Sequence, residues 1–142
     1  MNKKKLFIMI SLTLVLAITI CLVAQETISA DKCRIVRIHG YAYPGKNVRI
    51  EPDTIWAAQG TCVVWVNLAR NQIRIVFEDG KKCADVTDAP TGFSLDAKSC
   101  YVTTFLPLGG TSSLRFSEKG TFDYVVEAFG GEVKEKGKII VE

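Results

Sequence analysis

The chain has 142 residues, 48% of them hydrophobic, with 18 lysines and arginines against 15 aspartates and glutamates. The excess positive charge belongs to Lys3, Lys4 and Lys5; without residues 1–24 the balance is 15 against 15. A neutral remainder argues against a nucleic-acid-binding surface, and the sequence pI of about 8.6 says little about partners.

Residues 6–24 form an apolar run without a charge, behind a basic start and ahead of small residues at Ala24 and Ala30. That is the layout of a secretory signal peptide. The run is also close to the length a membrane-spanning helix needs, roughly 20 residues. Residues 1–30 therefore read as a signal peptide or as a hydrophobic anchor helix. Cys21 follows Ile20, where lipid attachment asks for a small residue, so a lipoprotein is not indicated. Either reading exports residues 31–142, a length that suits one small domain with one core.

Cys33 to His39 is the first strand, with Ile35, Arg37 and His39 on one face and Arg34, Val36 and Ile38 on the other. Charges on both faces place it near an edge. Gly40 to Asn47 is a loop, Val48 to Ile50 a short extended piece, and Glu51-Pro52-Asp53 a turn. Thr54 to Ala58 is a strand in which Trp56 is expected to cover the core. Cys62 to Val66 is β-branched and aromatic, as a buried strand should be. Asn67 to Gln72 is turn-prone. Ile73 to Phe77 alternates, with Ile73, Ile75 and Phe77 on one face and Arg74 on the other.

Asp79-Gly80 is a turn signal. Lys81 to Ser99 is polar, shows no period and is long for a loop, so a short helix or irregular excursion is expected. Tyr101 to Leu106 and Thr111 to Phe116 are strands around a Pro107-to-Gly110 turn, the second with Leu114 and Phe116 inward. Thr121 to Val126 turns Phe122, Tyr124 and Val126 one way and Asp123 the other. Phe129 to Gly137 reads as a polar loop and Lys138 to Glu142 as the closing strand. Short strands separated by turns, with no helical period after the N-terminal segment, argue for an all-β sandwich.

Four cysteines follow residue 30: Cys33, Cys62, Cys83 and Cys100. An even count in a small exported domain argues for two disulfides, with three pairings open. No CxxC spacing supports zinc and no CxxCH supports covalent haem. Gly109-Gly110 lacks the Lys-Ser/Thr of a phosphate loop. Asp85, Asp88 and Asp96 lack calcium-loop spacing. No serine-nucleophile motif is present. His39, the single histidine, lies beside Arg37 and reads as a surface or hydrogen-bonded residue. Nothing here points to an enzyme.

The stretch Gly60 to Phe77 carries a GxxVxWxN pattern on Gly60, Val63, Trp65 and Asn67, then a short strand ending in Val-Phe. It resembles the core of the cupredoxins, the plastocyanin-like family. PLGGTSSLRFSEKGTFDYVV, from Pro107, is similar to that family's Pro-Gly turn, strand ending in Phe, and Gly-Thr-aromatic-x-aromatic run. The resemblance covers most of residues 33–142 and implies a cupredoxin-like Greek-key β-sandwich. It also implies that the first strand lies beside the one carrying Cys62, which favours the pairs Cys33–Cys62 and Cys83–Cys100; the latter closes the 83–100 loop.

The same alignment puts the family's first copper histidine at Ile73, its thiolate at Val126 and its second histidine at Phe129. The axial methionine falls among Glu132 to Lys136, which contain no Met. A blue-copper centre needs two imidazoles and a thiolate. The expectation is a domain that has lost them, with no cofactor, and with Ile73, Val126 and Phe129 filling the old pocket as core. The functional use of that end would be docking through a tip of Phe129, Gly130 and Gly131. The expected function is a binding or structural module in the periplasm or outside the cell, with another envelope or extracellular protein as partner. Residues 6–24 would attach it to the membrane if uncut. The alternative is a copper-binding or electron-transfer protein using an unfamiliar site, such as His39 with cysteines or carboxylates, or a partner's metal.

Overall fold

The structure is a computed structural model and describes residues 33–41, 45–78 and 83–142. The expected signal or anchor segment lies outside the described residues, as do part of the 40–47 loop and the Asp79-Gly80 turn. Among the described residues, no helix is long and apolar enough to cross a membrane.

The strands are β1 (Arg34–Tyr41), β2 (Asn47–Glu51), β3 (Thr54–Ala57), β4 (Cys62–Asn67) and β5 (Ile73–Phe77). A single helical turn, α1 (Cys83–Val86), leads to β6 (Thr87–Thr91), β7 (Phe93–Leu95), β8 (Tyr101–Thr103), β9 (Thr111–Phe116), β10 (Gly120–Ala128) and β11 (Val133–Val141). They form two sheets, in the orders β2-β1-β4-β9-β6 and β3-β11-β10-β5-β8-β7. The pairs β1–β4 and β3–β11 are parallel. This is a β-sandwich, and the period-2 alternation of its strands explains the core. Val36, Ile38, Val63, Ile73, Ile75, Phe116, Val126 and Ile139 all turn inward and are fully buried. Trp65 sits at the centre, its ring centroid 5.5 Å from those of Phe93 and Tyr124 and 5.9 Å from that of Phe77. Edge-to-face contacts of this kind add about 0.5–1.5 kcal/mol each beyond area burial.

The expected faces of β5, β9 and β10 are those observed. Trp56 is different: it is 57% exposed. Ile55 and Ala57 take the inward positions of β3, and a strand cannot send three successive side chains to one face. The polar stretch 81–99 also holds more order than expected. β6 joins β9 at one sheet edge and β7 joins β8 at an edge of the other. Gly92 (φ +72°) makes the step between them, where a Cβ would come 3.2 Å from that of Ser112. The strand expected to run to Leu106 ends at Thr103, leaving Leu106 in an isolated bridge to Ile73. The expected loop from Phe129 to Gly137 is a short 3-10 turn followed by strand. Its polar residues can be strand because β10 supplies a continuous ladder from Ala128–Val133 down to Gly120–Val141.

Cys33 and Cys62 stand at disulfide distance, Cα atoms 4.5 Å apart. The parallel register of Arg34 with Val63 brings them there. The sulfurs of Cys83 and Cys100, both buried, lie 2.6 Å apart. Asp96 shapes that approach: its Oδ1 accepts the amides of Lys98 (2.8 Å) and Cys100 (2.9 Å). Those amides, Cys100 first, hold its carboxyl below the usual range.

Candidate functional site

One end of the sandwich is built by the β4–β5 loop, the 104–110 loop and the turn after β10. Asn67 ties the first two together from a fully buried position. Its Nδ2 donates to the carbonyls of Asn71 (3.0 Å) and Leu106 (2.9 Å), and its Oδ1 accepts the amide of Ala69 (2.8 Å). Its backbone amide donates to Gly110 O (2.9 Å) and its carbonyl accepts from Gly109 N (2.7 Å). A side-chain amide offers two donors and an acceptor at once, which is what two converging loops of unpaired backbone require.

Ile73 opens β5 directly below this clamp. It exchanges both backbone hydrogen bonds with Leu106 and pairs in register with Ala128. Val126 lies opposite Ile75, two positions further down the sandwich. Ile73 and Val126 are fully buried, and Phe129 is partly buried against the same core. None of these three side chains carries a donor atom for a metal. Phe129 has φ +54°, and Gly130 and Gly131 follow at +68° and +94°, which turns the chain tightly into β11. The Lys46 ammonium sits 5.6 Å from the Phe129 ring centroid and pairs with Glu132. Phe129 is thus covered from one side, and Gly130 is the exposed member of the expected tip.

The apolar surface at this end comes instead from residues that sequence reasoning passed over. Leu68 is 42% exposed, Phe105 48% and Leu108 59%. Leu68 follows Asn67, and Leu108 precedes the Gly109 amide bonded to Asn67, so the clamp fixes both. A leucine inside a turn-prone stretch, as in Asn67-Leu68 and Pro107-Leu108-Gly109, was the available signal.

A charged row crosses the sheet beside this surface. Glu127 accepts from Arg74 on β5 (Nε, 3.0 Å) and pairs with Lys134 on β11 (2.7 Å). Lys134, then Arg74, outweigh burial and hold the Glu127 carboxyl below its ordinary value. Arg74 also lies 5.6 Å from the Phe105 ring centroid, which fixes the ring at the rim. His39 is elsewhere, on β1 in register with Arg49 of β2, its Nε2 3.7 Å from Glu51. Among the described residues, no three of His, Cys, Asp and Glu gather as metal ligands would.

No protein-family model and no curated protein matches the chain. Solved structures do. A Cu(I) form of one amicyanin variant and the oxidised state of another are each 19% identical to it, with a TM-score of 0.50. Each comparison covers 80% of this chain and 85% of the other. At that identity the likeness concerns the fold, and the fold of this chain is that of a cupredoxin-like β-sandwich.

Proposed function

We propose that the chain is an exported binding module of the cell envelope, built on a cupredoxin-like sandwich without a type 1 copper centre, and that it is not an enzyme. Function resides in sites rather than folds. The observation that carries the reading is the character of the loop end. Ile73, Val126 and Phe129 offer no ligand atom, while Leu68, Phe105 and Leu108 stand exposed on loops held by the Asn67 clamp. Apolar side chains fixed in that way bind a protein partner at low entropic cost, because little remains to be ordered. The partner is another envelope or extracellular protein.

The first test is metal content and absorption of the full chain, exported through an oxidising compartment and offered copper. A folded, colourless, copper-free protein is expected. Stoichiometric copper with an intense visible band would overturn the reading and direct mutation to His39, Glu51 and the cysteines. The second test is a triple Leu68→Ser, Phe105→Ser, Leu108→Ser variant. It should retain its thermal stability and lose partner capture.

A further inference from the structure

A second surface lies where the chain passes from one sheet to the other. β2 pairs with β1 only from Arg37 to Tyr41. Below Arg37 the chain has left through Pro52 to become β3 on the opposite sheet. The gap is an open groove of about 460 Å³ bordered by Arg34, Ile35, Arg37, Pro52 and Trp56. Ile35 and Trp56 are 47% and 57% exposed. The lining holds two guanidinium groups and no carboxylate. Glu51, in register with Arg37, lies 3.7 Å from His39, and Asp53 is exposed at the edge of the groove between Pro52 and Thr54.

We propose that this groove seats the domain on an anionic bilayer surface, with Arg34 and Arg37 meeting lipid phosphates and Trp56 entering the interface. The proposal rests on residues 6–24 being retained as an anchor. Eight residues, 25–32, separate Ala24 from Cys33. Fully extended they reach at most about 28 Å. Lys32, Arg34 and Arg37 all fall within 13 residues of Ala24. A domain on so short a tether stays within reach of headgroups. Its groove carries the residue types that partition there: tryptophan for the amphipathic interface and arginine for bidentate contact with phosphate.

The test uses the full chain reconstituted in vesicles of phosphatidylcholine, with and without phosphatidylglycerol. Flotation reports the anchor. Fluorescence quenching by a shallow nitroxide lipid reports Trp56, with Trp56→Phe as the blank for the buried Trp65. Trp56 should be quenched from the lipid side on anionic vesicles and shielded from aqueous iodide. Each arginine shifts such an equilibrium by roughly fivefold. The double variant Arg34→Gln, Arg37→Gln should therefore lower the docked-to-undocked ratio by about 25-fold, and high salt should mimic it. A chain that floats while Trp56 stays open to iodide would overturn the docking and leave the anchor intact. Equal quenching on both lipid mixtures would overturn the anionic assignment. A chain that fails to float would remove the anchor, and the proposal with it.

Discussion

Gly137 sits on β11 directly opposite Tyr124 on β10. A methyl group there would fall on Cζ and Oη of Tyr124 and stand 2.7 Å from Cε1, where ordinary contact begins at 3.4 Å. The tip of a tyrosine normally swings aside at little cost, but this ring is 1% exposed and packed between Trp65 (5.5 Å) and Phe77 (5.6 Å). Moving it disturbs the centre of the core. Overpacking costs about 1–3 kcal/mol, and a contact against three ring atoms belongs at the upper end. Replacing glycine by alanine returns about 0.4–1 kcal/mol through the unfolded chain. Gly137→Ala should therefore destabilise by about 2 kcal/mol, a fall in Tm of roughly 8 °C for a domain of this size. Thermal unfolding followed by Trp65 fluorescence measures it. Gly45→Ala, with nothing within 4 Å of the added methyl, is the control and should leave Tm unchanged. In a Tyr124→Leu background the ring is gone and the cost of the methyl should vanish, which a double-mutant cycle reads as coupling. A Gly137→Ala protein with wild-type Tm would refute the packing described for this pair.

Asn67→Ala removes three side-chain hydrogen bonds, taking the partner from the Ala69 amide and the Asn71 carbonyl, while the Leu106 carbonyl keeps the Ile73 amide; a loss of about 3 kcal/mol is expected in denaturant titration, with faster amide exchange in both loops. The carboxyl of Glu127 is held low in the folded state, so its contribution is present above the ordinary glutamate value of 4.5 and disappears as pH falls through the folded pKa. Glu127→Gln should thus lower Tm at neutral pH, with the gap to wild type closing in acid. Burial pushes the Tyr124 phenol up to about 12, so the stability it lends is full below 10.0 and is lost as pH rises towards the folded value. Tyr124→Phe should flatten that alkaline limb in a Tm-against-pH series. Chain recovered from an oxidising compartment should show no titratable thiol at Cys83 or Cys100 under denaturation without reductant, and two thiols there would exclude a bridge between them.

The alternating segments were the legible part of the fold. Ile73 to Phe77 and Thr111 to Phe116 read with their observed limits, because hydrophobic alternation and flanking turns fix both period and ends. Val133 to Gly137 carries no such alternation, and its strand exists because β10 pairs with it. The same is true of Thr87 to Thr91, which is polar and becomes strand at the free edge of β9. Edge pairing is a property of the neighbour and leaves little trace in the segment itself. At the loop end, the sequence pointed to Phe129, Gly130 and Gly131 and passed over Leu68, Phe105 and Leu108. A phenylalanine beside glycines looks exposed until Lys46 and the core are seen to cover it.

By itself the sequence determined the class of the domain, the inward faces of its central strands and the absence of ligand atoms at Ile73, Val126 and Phe129. These follow from side-chain chemistry and from a period that needs no partner to be read. The tertiary structure alone decided that Trp56 faces outward, that Asn67 joins two loops separated by 39 residues from its side chain to Leu106, and that Arg74 and Lys134 converge on Glu127. Each depends on which strand edge or loop stands next to which. That is fixed by the summed burial and hydrogen bonding of the whole sandwich and by no local segment of it.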